Sequence, residues 1–184
     1  MKSIKGQLLI AAESLHDPNF ARTVVLMFEH TEQGAGGVIL NRPTDKTIKE
    51  VAPTLFHESS DWNKLIHLGG PVGGPLAIAH TEGEFADMEV CPGVYGTIAA
   101  AKVLDLIRKR VEPSLILFNY AGWGAGQLEG ELQEEAWKVW PARAEHVFWN
   151  VQKDLWTSVM SELNGESLAK LVKVRVRPND PLAN

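Results

Sequence analysis

Short apolar runs separated by turn residues fill the first half of the chain, a pattern typical of β-strands. Six runs are predicted as strands: 6–12, 23–30, 37–40, 65–68, 76–80 and 84–90. The polar stretch 31–34 is predicted as a turn, which makes the second and third strands an antiparallel pair. The stretch 69–75, with four glycines and two prolines, is predicted as a turn between the fourth and fifth.

One short helix is predicted among these strands. Thr47 and Glu50 have the spacing of a capping box, in which each side chain accepts a hydrogen bond from the other residue's backbone. The helix therefore starts at residue 48, and Pro53 is expected to bend or break it because proline lacks the backbone N–H that a helix needs.

The second half mixes helical and extended patterns. Helices are predicted over 98–111, from Gly126 to just before Pro141, and over 154–163 with Gly165 as the stop. Strands are predicted over 114–120, 147–151 and 173–177. The run 114–120 is apolar throughout, as in a central strand, whereas 173–177 alternates charged residues with valine, as in an edge strand.

Strands crowded at the front and mixed elements behind predict an α+β fold with a predominantly antiparallel or mixed sheet. A doubly wound nucleotide-binding fold needs regular alternation of strand and helix from the start, and this order contradicts it. No repeat or long linker divides the sequence, so we expect one domain over 1–177 and a flexible tail over 178–184.

Composition narrows the classes of function. The chain has 184 residues, and 18 Lys and Arg against 23 Asp and Glu give a net charge of −5, which makes nucleic-acid binding and attachment to an anionic membrane improbable. The first apolar run is too short for a membrane span. A single cysteine, Cys91, fits a reducing compartment. We therefore expect a cytoplasmic protein without a membrane anchor.

Motifs for catalysis are weak. No nucleophile elbow, metal-binding histidine pair or phosphate-binding loop occurs, so we expect no metal and no cofactor. Arg22 and Arg42 could bind a carboxylate or phosphate, or they could tether the chain internally. The turn 69–75 could offer backbone N–H groups to an anion or simply reverse the chain. The glycine-rich turn before Gln127 could bind an anion through its backbone N–H groups or pack closely against Trp123. Packing is favoured because Glu129 would repel an anion.

Five segments occur in an order that resembles a known family: 7–11 (QLLIA), 17–25 (DPNFARTVV), 36–43 (GGVILNRP), 69–72 (GGPV) and 120–129 (YAGWGAGQLE). They resemble the AlgH/YqgE family of bacterial proteins over about residues 6 to 164. The resemblance implies an α+β domain whose bifurcated, mostly antiparallel sheet curls into a pseudo-barrel flanked by helices. It also implies the family's label of transcriptional regulator, and it supplies no catalytic residue.

The residues that match the family's motifs are our candidate ligand-binding residues: Asp17, Arg22, Asn41, Arg42, Gly69, Gly70, Pro71, Trp123, Gln127 and Glu129. Our leading hypothesis is a non-enzymatic regulator that binds a small anionic molecule or a protein partner in a shared pocket. The alternatives are direct DNA binding through the basic runs 108–110 and 173–177, or a hydrolase or transferase that uses Cys91 or a histidine.

Overall fold

The computed structural model describes residues 2–55 and 62–175. The strands are Gln7–Ala11 (β1), Val24–Thr31 (β2), Gly34–Ile39 (β3), Pro43–Thr47 (β4), Leu65–Leu68 (β5), Val72–His80 (β6), Met88–Cys91 (β7), Val94–Thr97 (β8), Ser114–Gly124 (β9) and Trp137–Pro141 (β10). The α-helices are Ile48–Val51 (α1), Ala100–Lys109 (α2), Gln127–Gln133 (α3), Ala144–Val147 (α4) and Leu155–Arg175 (α5). Pro53–Leu55 and Gly83–Phe85 are short 3-10 helices.

The strands form one sheet that forks along β9. The main path runs β10-β1-β2-β3-β9-β6-β8-β7, with antiparallel neighbours throughout. The first half of β9 pairs in parallel with β5, which also pairs with β4. The second half pairs with β3 instead. One strand therefore serves both branches of the fork, and the predicted α+β fold with a curled, bifurcated sheet is confirmed.

Alternation along the strands sends side chains to two faces of the sheet. Leu8 and Leu26 belong to the same buried cluster as Leu117, although these strands lie in different branches, so this cluster fills the inside of the curl. Two separate clusters cover the outer face. One packs beneath α3 around Leu128, and the other packs beneath α2. The curl is thus a half-barrel with its own core.

Helix α5 closes one end of the half-barrel. Its first turns place Leu155, Trp156 and Val159 in the inner core, each nearly inaccessible to solvent. The indole N–H of Trp156 donates a buried hydrogen bond of 2.8 Å to the carbonyl of Ala11, at the end of β1. The apolar face of one helix therefore covers one end of the barrel core.

Several local predictions are confirmed. Thr47 and Glu50 form the capping box, and α1 gives way to a 3-10 helix at Pro53. Strand β9 is central and paired on both sides. The predicted strands at 6–12, 23–30, 37–40 and 65–68 exist with shifted ends.

The predicted helix up to Pro141 is wrong beyond residue 133. Helix α3 stops there because Glu135 adopts a left-handed backbone, with φ of 57°. Trp137 and Val139 then pair with the edge of β1, and both pack in the same outer cluster. Residues two apart lie on one face of a strand but not on one face of a helix. The free edge of β1, which the local sequence does not reveal, makes this segment a strand.

Other corrections concern turns and ends. The stretch 147–151 is not a strand, because α4 occupies 144–147 and turns follow. Within 69–75, the residues from Val72 onward already belong to β6, whose pairing with β9 is interrupted by a bulge. Strand β7 begins only at Met88, and strands β4 and β8 were not predicted.

At the C-terminus, α5 continues through Gly165, so the predicted stop and the edge strand are wrong as far as residue 175. A long helix whose first turns are already packed in the core tolerates one glycine further along. The predicted tail 178–184 and residues 176–177 lie outside the described residues, and the division into one domain over 1–177 stays a prediction.

Candidate functional site

Asp17, Asn41 and Arg42 fix the backbone of the loop between β1 and β2. The carboxylate of Asp17 accepts the N–H of Asn19 at 2.8 Å, which makes it a local turn cap. Asn41 accepts the N–H of Val24 at 2.9 Å and donates to the carbonyl of Arg22 at 2.9 Å. The guanidinium of Arg42 donates to the carbonyl of Ala21 at 2.6 Å. These side chains therefore hold the loop in place.

Arg22 itself is directed toward α5. Its guanidinium forms an ion pair with Asp154, donates to the hydroxyl of Thr157 at 3.2 Å, and lies 4.1 Å from the ring centre of Trp156. Its φ of 56° is left-handed, a conformation that the bond from Asn41 to its carbonyl stabilises. Arg22 connects the loop to the helix that closes the half-barrel.

Gly69 and Gly70 cross directly over the fork in the sheet. The N–H of Gly69 donates to the carbonyl of Phe118 at 2.7 Å, and its own carbonyl accepts from Ile39 at 2.8 Å. A Cβ on Gly70 would meet the backbone of Tyr120 at well under 3.0 Å. Pro71 has no N–H. The backbone donor of Gly69 is thus already used, and the motif permits close contact between two backbone segments.

Trp123 and Gln127 take part in a network centred on Glu131. Both Trp123 and Trp137 donate their indole N–H groups to one oxygen of Glu131, at 2.9 and 2.7 Å. The other oxygen accepts from Gln127 at 2.9 Å. Glu129 lies elsewhere on α3 and accepts from the buried ring of His30 at 3.1 Å. This network ties β9, α3 and β10 together.

The ten candidate residues therefore lie in three connected places and do not surround one open pocket. Phe20, on the loop held by Asn41 and Arg42, stacks on Trp123 with ring centres 5.9 Å apart and meets Trp137 edge-on at 5.5 Å. The contacts favour bracing of the scaffold. Ligand binding by these ten residues stays a prediction.

A cleft opens at the end of the half-barrel that α5 leaves uncovered. It has a volume of about 320 Å³, and we call it the half-barrel cleft. Its walls come from β2, β3, β6, β7, β8 and β9, and they are mostly apolar: Phe28, Val38, Ala77, Met88, Ile98 and Leu117. Half-exposed apolar residues such as Ile98, 49% accessible, mark the opening. Barrel mouths are a common location of small-molecule sites.

Three polar or amphipathic residues line the half-barrel cleft near its rim. Asn119 occupies the bend of β9, with a left-handed φ of 66°, and its amide oxygen accepts the N–H of Gly74 at 3.1 Å. Asparagine tolerates this backbone better than most residues. The exposed Glu29 follows the bulge in β2, and the ring of Tyr120 lies 6.3 Å from that of Phe28. The rim therefore carries one negative charge.

A neighbouring groove of about 480 Å³ shares Phe28, Glu29 and Tyr120 with the half-barrel cleft and extends to Trp123. Trp123 is the only one of the ten candidate residues that lines either space. The prediction of an apolar strand over 114–120 passed over one indication of the missed site, because Asn119 interrupts that strand where a central strand needs no amide.

The alternative chemistries find little support. Burial raises the pKa of the Cys91 thiol, and Glu89 raises it further, so the thiolate that a nucleophile requires is disfavoured. In the described ranges, no group of three or more His, Cys, Asp or Glu could hold a metal ion. No helix in these ranges is long and apolar enough to cross a membrane.

Two residues of the basic run 108–110 already have partners in the described chain. Arg108 pairs with Asp105 at 3.6 Å, and Lys109 pairs with Glu84 at 3.3 Å while it covers the ring of Phe85. Lys173 and Arg175 belong to α5 and not to an edge strand, and Arg177 lies outside the described residues. The charges at 108 and 109 are thus already partly neutralised.

Two buried histidines make stability depend on pH. Burial lowers the pKa of His67 and of His80 below 6.5, although Glu82 and Asp87 offset part of the effect at His80. Both rings are therefore neutral in the folded protein at pH 7, whereas the unfolded chain takes up protons as the pH falls below about 6.5. Protons bound only by the unfolded state destabilise the fold.

We expect the free energy of unfolding to fall between pH 7 and pH 5, by at most about 1.4 kcal/mol per pH unit for each of these histidines. Urea denaturation at a series of pH values measures it. A free energy that stays constant from pH 7 to pH 5 would contradict the assignment.

The chain is similar in sequence to known bacterial proteins. A family model described as AlgH-like matches residues 8–168. A UPF0301 protein of Chlorobaculum tepidum is 38% identical over 167 residues, which cover 88% of this chain and 87% of that protein. A UPF0301 protein of Thermobifida fusca is 33% identical and covers 99% of this chain and 96% of its own length.

Two solved structures are similar in fold. The solution structure of the AlgH protein from Pseudomonas aeruginosa has a TM-score of 0.72 and 31% sequence identity, covering 98% of this chain and 100% of that one. A crystal structure of a protein from Corynebacterium diphtheriae has a TM-score of 0.73 at 24% identity, with 88% of each chain covered.

Proposed function

The chain belongs to the AlgH-like family, and we propose that it works as a non-enzymatic protein that binds a small, mostly apolar molecule in the half-barrel cleft. The observation that carries the proposal is the open end of the barrel, where about 320 Å³ is lined almost entirely by apolar side chains. Uncovered apolar surface of this kind is stabilised when a ligand removes it from water.

The rim indicates the polar character of the ligand. Glu29 has no ion pair or hydrogen bond among the described residues, and its carboxylate attracts a hydrogen-bond donor or a cation and repels an anion. The amide of Asn119 points to one further hydrogen bond near the bend of β9. An apolar body with one donor group fits these walls better than the anionic molecule that the arginines had suggested.

The state of the candidate reactive groups favours binding over catalysis. Cys91 lies in the inner core with its thiol protonated, and Arg22 and Arg42 are engaged with the chain itself. The regulatory role that the family resemblance implies fits a protein whose binding site fills as the concentration of a ligand rises. Because a lone buried thiol favours a reducing compartment, we propose the cytoplasm as its location.

A fluorescent probe of the right character tests the proposal. N-phenyl-1-naphthylamine is neutral and apolar with a single N–H donor, and it brightens when it leaves water. We expect it to bind and Ala77→Phe to weaken binding about tenfold or more, because the new ring fills the cleft. Ala101→Phe, the same change at an exposed position of α2, is the control. Equal binding to both variants would contradict the site.

A matched anionic probe separates this proposal from the anion hypothesis. 1-Anilinonaphthalene-8-sulfonate has the same ring system with an added sulfonate, and we expect it to bind more weakly because of Glu29. Tighter binding of the sulfonate, lost on Arg42→Gln, would restore the anion hypothesis and overturn ours.

A further inference from the structure

Four histidines are buried among the described residues: His30, His67, His80 and His146. In three of them both ring nitrogens are engaged. Their Nδ1 atoms each accept a backbone N–H at 3.1 Å, from Ile4, Glu82 and Arg143 respectively. Their Nε2 atoms face oxygens of Glu129, Thr97 and Glu162, at 3.1, 2.8 and 3.3 Å. These three rings are satisfied within the fold.

His67 differs from the other three. Its Nδ1 lies 2.8 Å from the carbonyl of Leu40, and because a carbonyl only accepts, Nδ1 carries the proton. Nε2 is left with a lone pair and no hydrogen-bond partner in the described chain, although the residue is only 2% accessible. Burial lowers the pKa of this ring, so the lone pair is available at neutral pH.

His67 lines a second cleft, and we call it the His67 cleft. It has a volume of about 430 Å³ and is bounded by β5, by the start of β9 and by the segment after α4. Its lining is mixed, with Leu65, Leu115, Phe148 and Val151 as apolar members beside His67 and other polar residues. Trp149, another lining residue, has a buried indole N–H without an acceptor in the described chain.

The charges that line the His67 cleft neutralise each other. Lys64 and Glu112 form an ion pair of 2.6 Å, and the second oxygen of Glu112 accepts the indole N–H of Trp62 at 2.8 Å. A charged ligand would gain little from this pair and would lose part of its hydration in the cleft. Neutral ligands are therefore favoured.

We propose that the His67 cleft binds a small neutral molecule with an apolar body and a hydroxyl group, whose O–H donates to Nε2 of His67. A hydroxyl supplies the donor that this nitrogen lacks, and its oxygen can accept a further hydrogen bond. The site is separate from the half-barrel cleft, because the two share no lining residue, and it does not depend on the function proposed above.

Phenol and toluene test the proposal, because they share a ring and differ by the hydroxyl. In protein carrying ¹⁵N-labelled histidine, phenol is expected to shift the Nε2 resonance of His67 and to bind roughly five- to tenfold more tightly than toluene, the worth of one neutral hydrogen bond. His67→Phe should abolish this preference. Equal affinities in the natural protein would overturn the proposal.

A second variant keeps His67 intact in case the first fails to fold. Val151→Trp, at a residue 43% accessible, should obstruct the cleft and remove the phenol effect. Val51→Trp is the matched control, since Val51 is 59% accessible and lies on α1 outside the cleft. A phenol effect on His67 that survives Val151→Trp, or one that Val51→Trp removes equally, would count against the site.

Discussion

Replacing Gly70 with alanine is expected to lower the free energy of unfolding by about 4 kcal/mol or more, or to prevent folding. The residue has a φ of +156°, which L side chains rarely adopt. Its Cβ would meet the carbonyl group of Tyr120 at well under 3.0 Å, and a backbone at the centre of a sheet cannot move aside as a flexible side chain could.

Gly73→Ala is the control for this prediction. A Cβ at Gly73 meets nothing within 4 Å, although the residue belongs to the same strand region. We expect a change of less than about 1 kcal/mol there. Urea denaturation followed by tryptophan fluorescence compares the two variants. If Gly70→Ala were as stable as Gly73→Ala, the close crossing over β9 would be wrong.

Glu131→Ala is expected to cost about 3 to 5 kcal/mol of stability, because it removes the acceptor of two buried donors at once. Trp123 and Trp137 are only 5% and 4% accessible, so their indole N–H groups have little contact with solvent. Each indole N–H would then be desolvated without a partner. Glu131→Gln should cost less, because it retains one amide oxygen.

The matched control is Glu134→Ala, an exposed glutamate at the end of the same helix, with an expected change within about 0.5 kcal/mol. Thermal unfolding of the three variants measures the difference. This comparison also separates bracing from ligand binding at the Trp123 turn. A turn that served only to bind a ligand would lose little stability in Glu131→Ala.

Much of the fold follows from local patterns. The β-branched run of β2 and the polar turn after it predict a hairpin with β3, and Thr47 and Glu50 predict their own capping box. These signals lie in residues that are close together in the chain, and the structure contains the elements that they predict. Segment 137–141 could not be assigned in this way, because its spacing suits either a helix or a strand and the edge of β1 selects the strand.

The candidate sites were harder to predict for a different reason. Motif residues such as Arg42 and Trp123 are chemically conspicuous, yet their hydrogen bonds are used inside the protein. The half-barrel cleft is built from ordinary apolar residues on six strands, and no single segment distinguishes them from core residues. The free nitrogen of His67 likewise depends on the partners of its ring, which the sequence does not reveal.

Strand β9 has one further consequence for the half-barrel. Its backbone belongs to both branches of the fork, and Gly70 is pressed against it where they diverge. Spreading the walls at the fork would break pairing on both sides of a single strand, so we expect the two branches to keep their spacing there. If a molecule binds in the half-barrel cleft as we propose, its walls are already in place, and binding costs little conformational entropy.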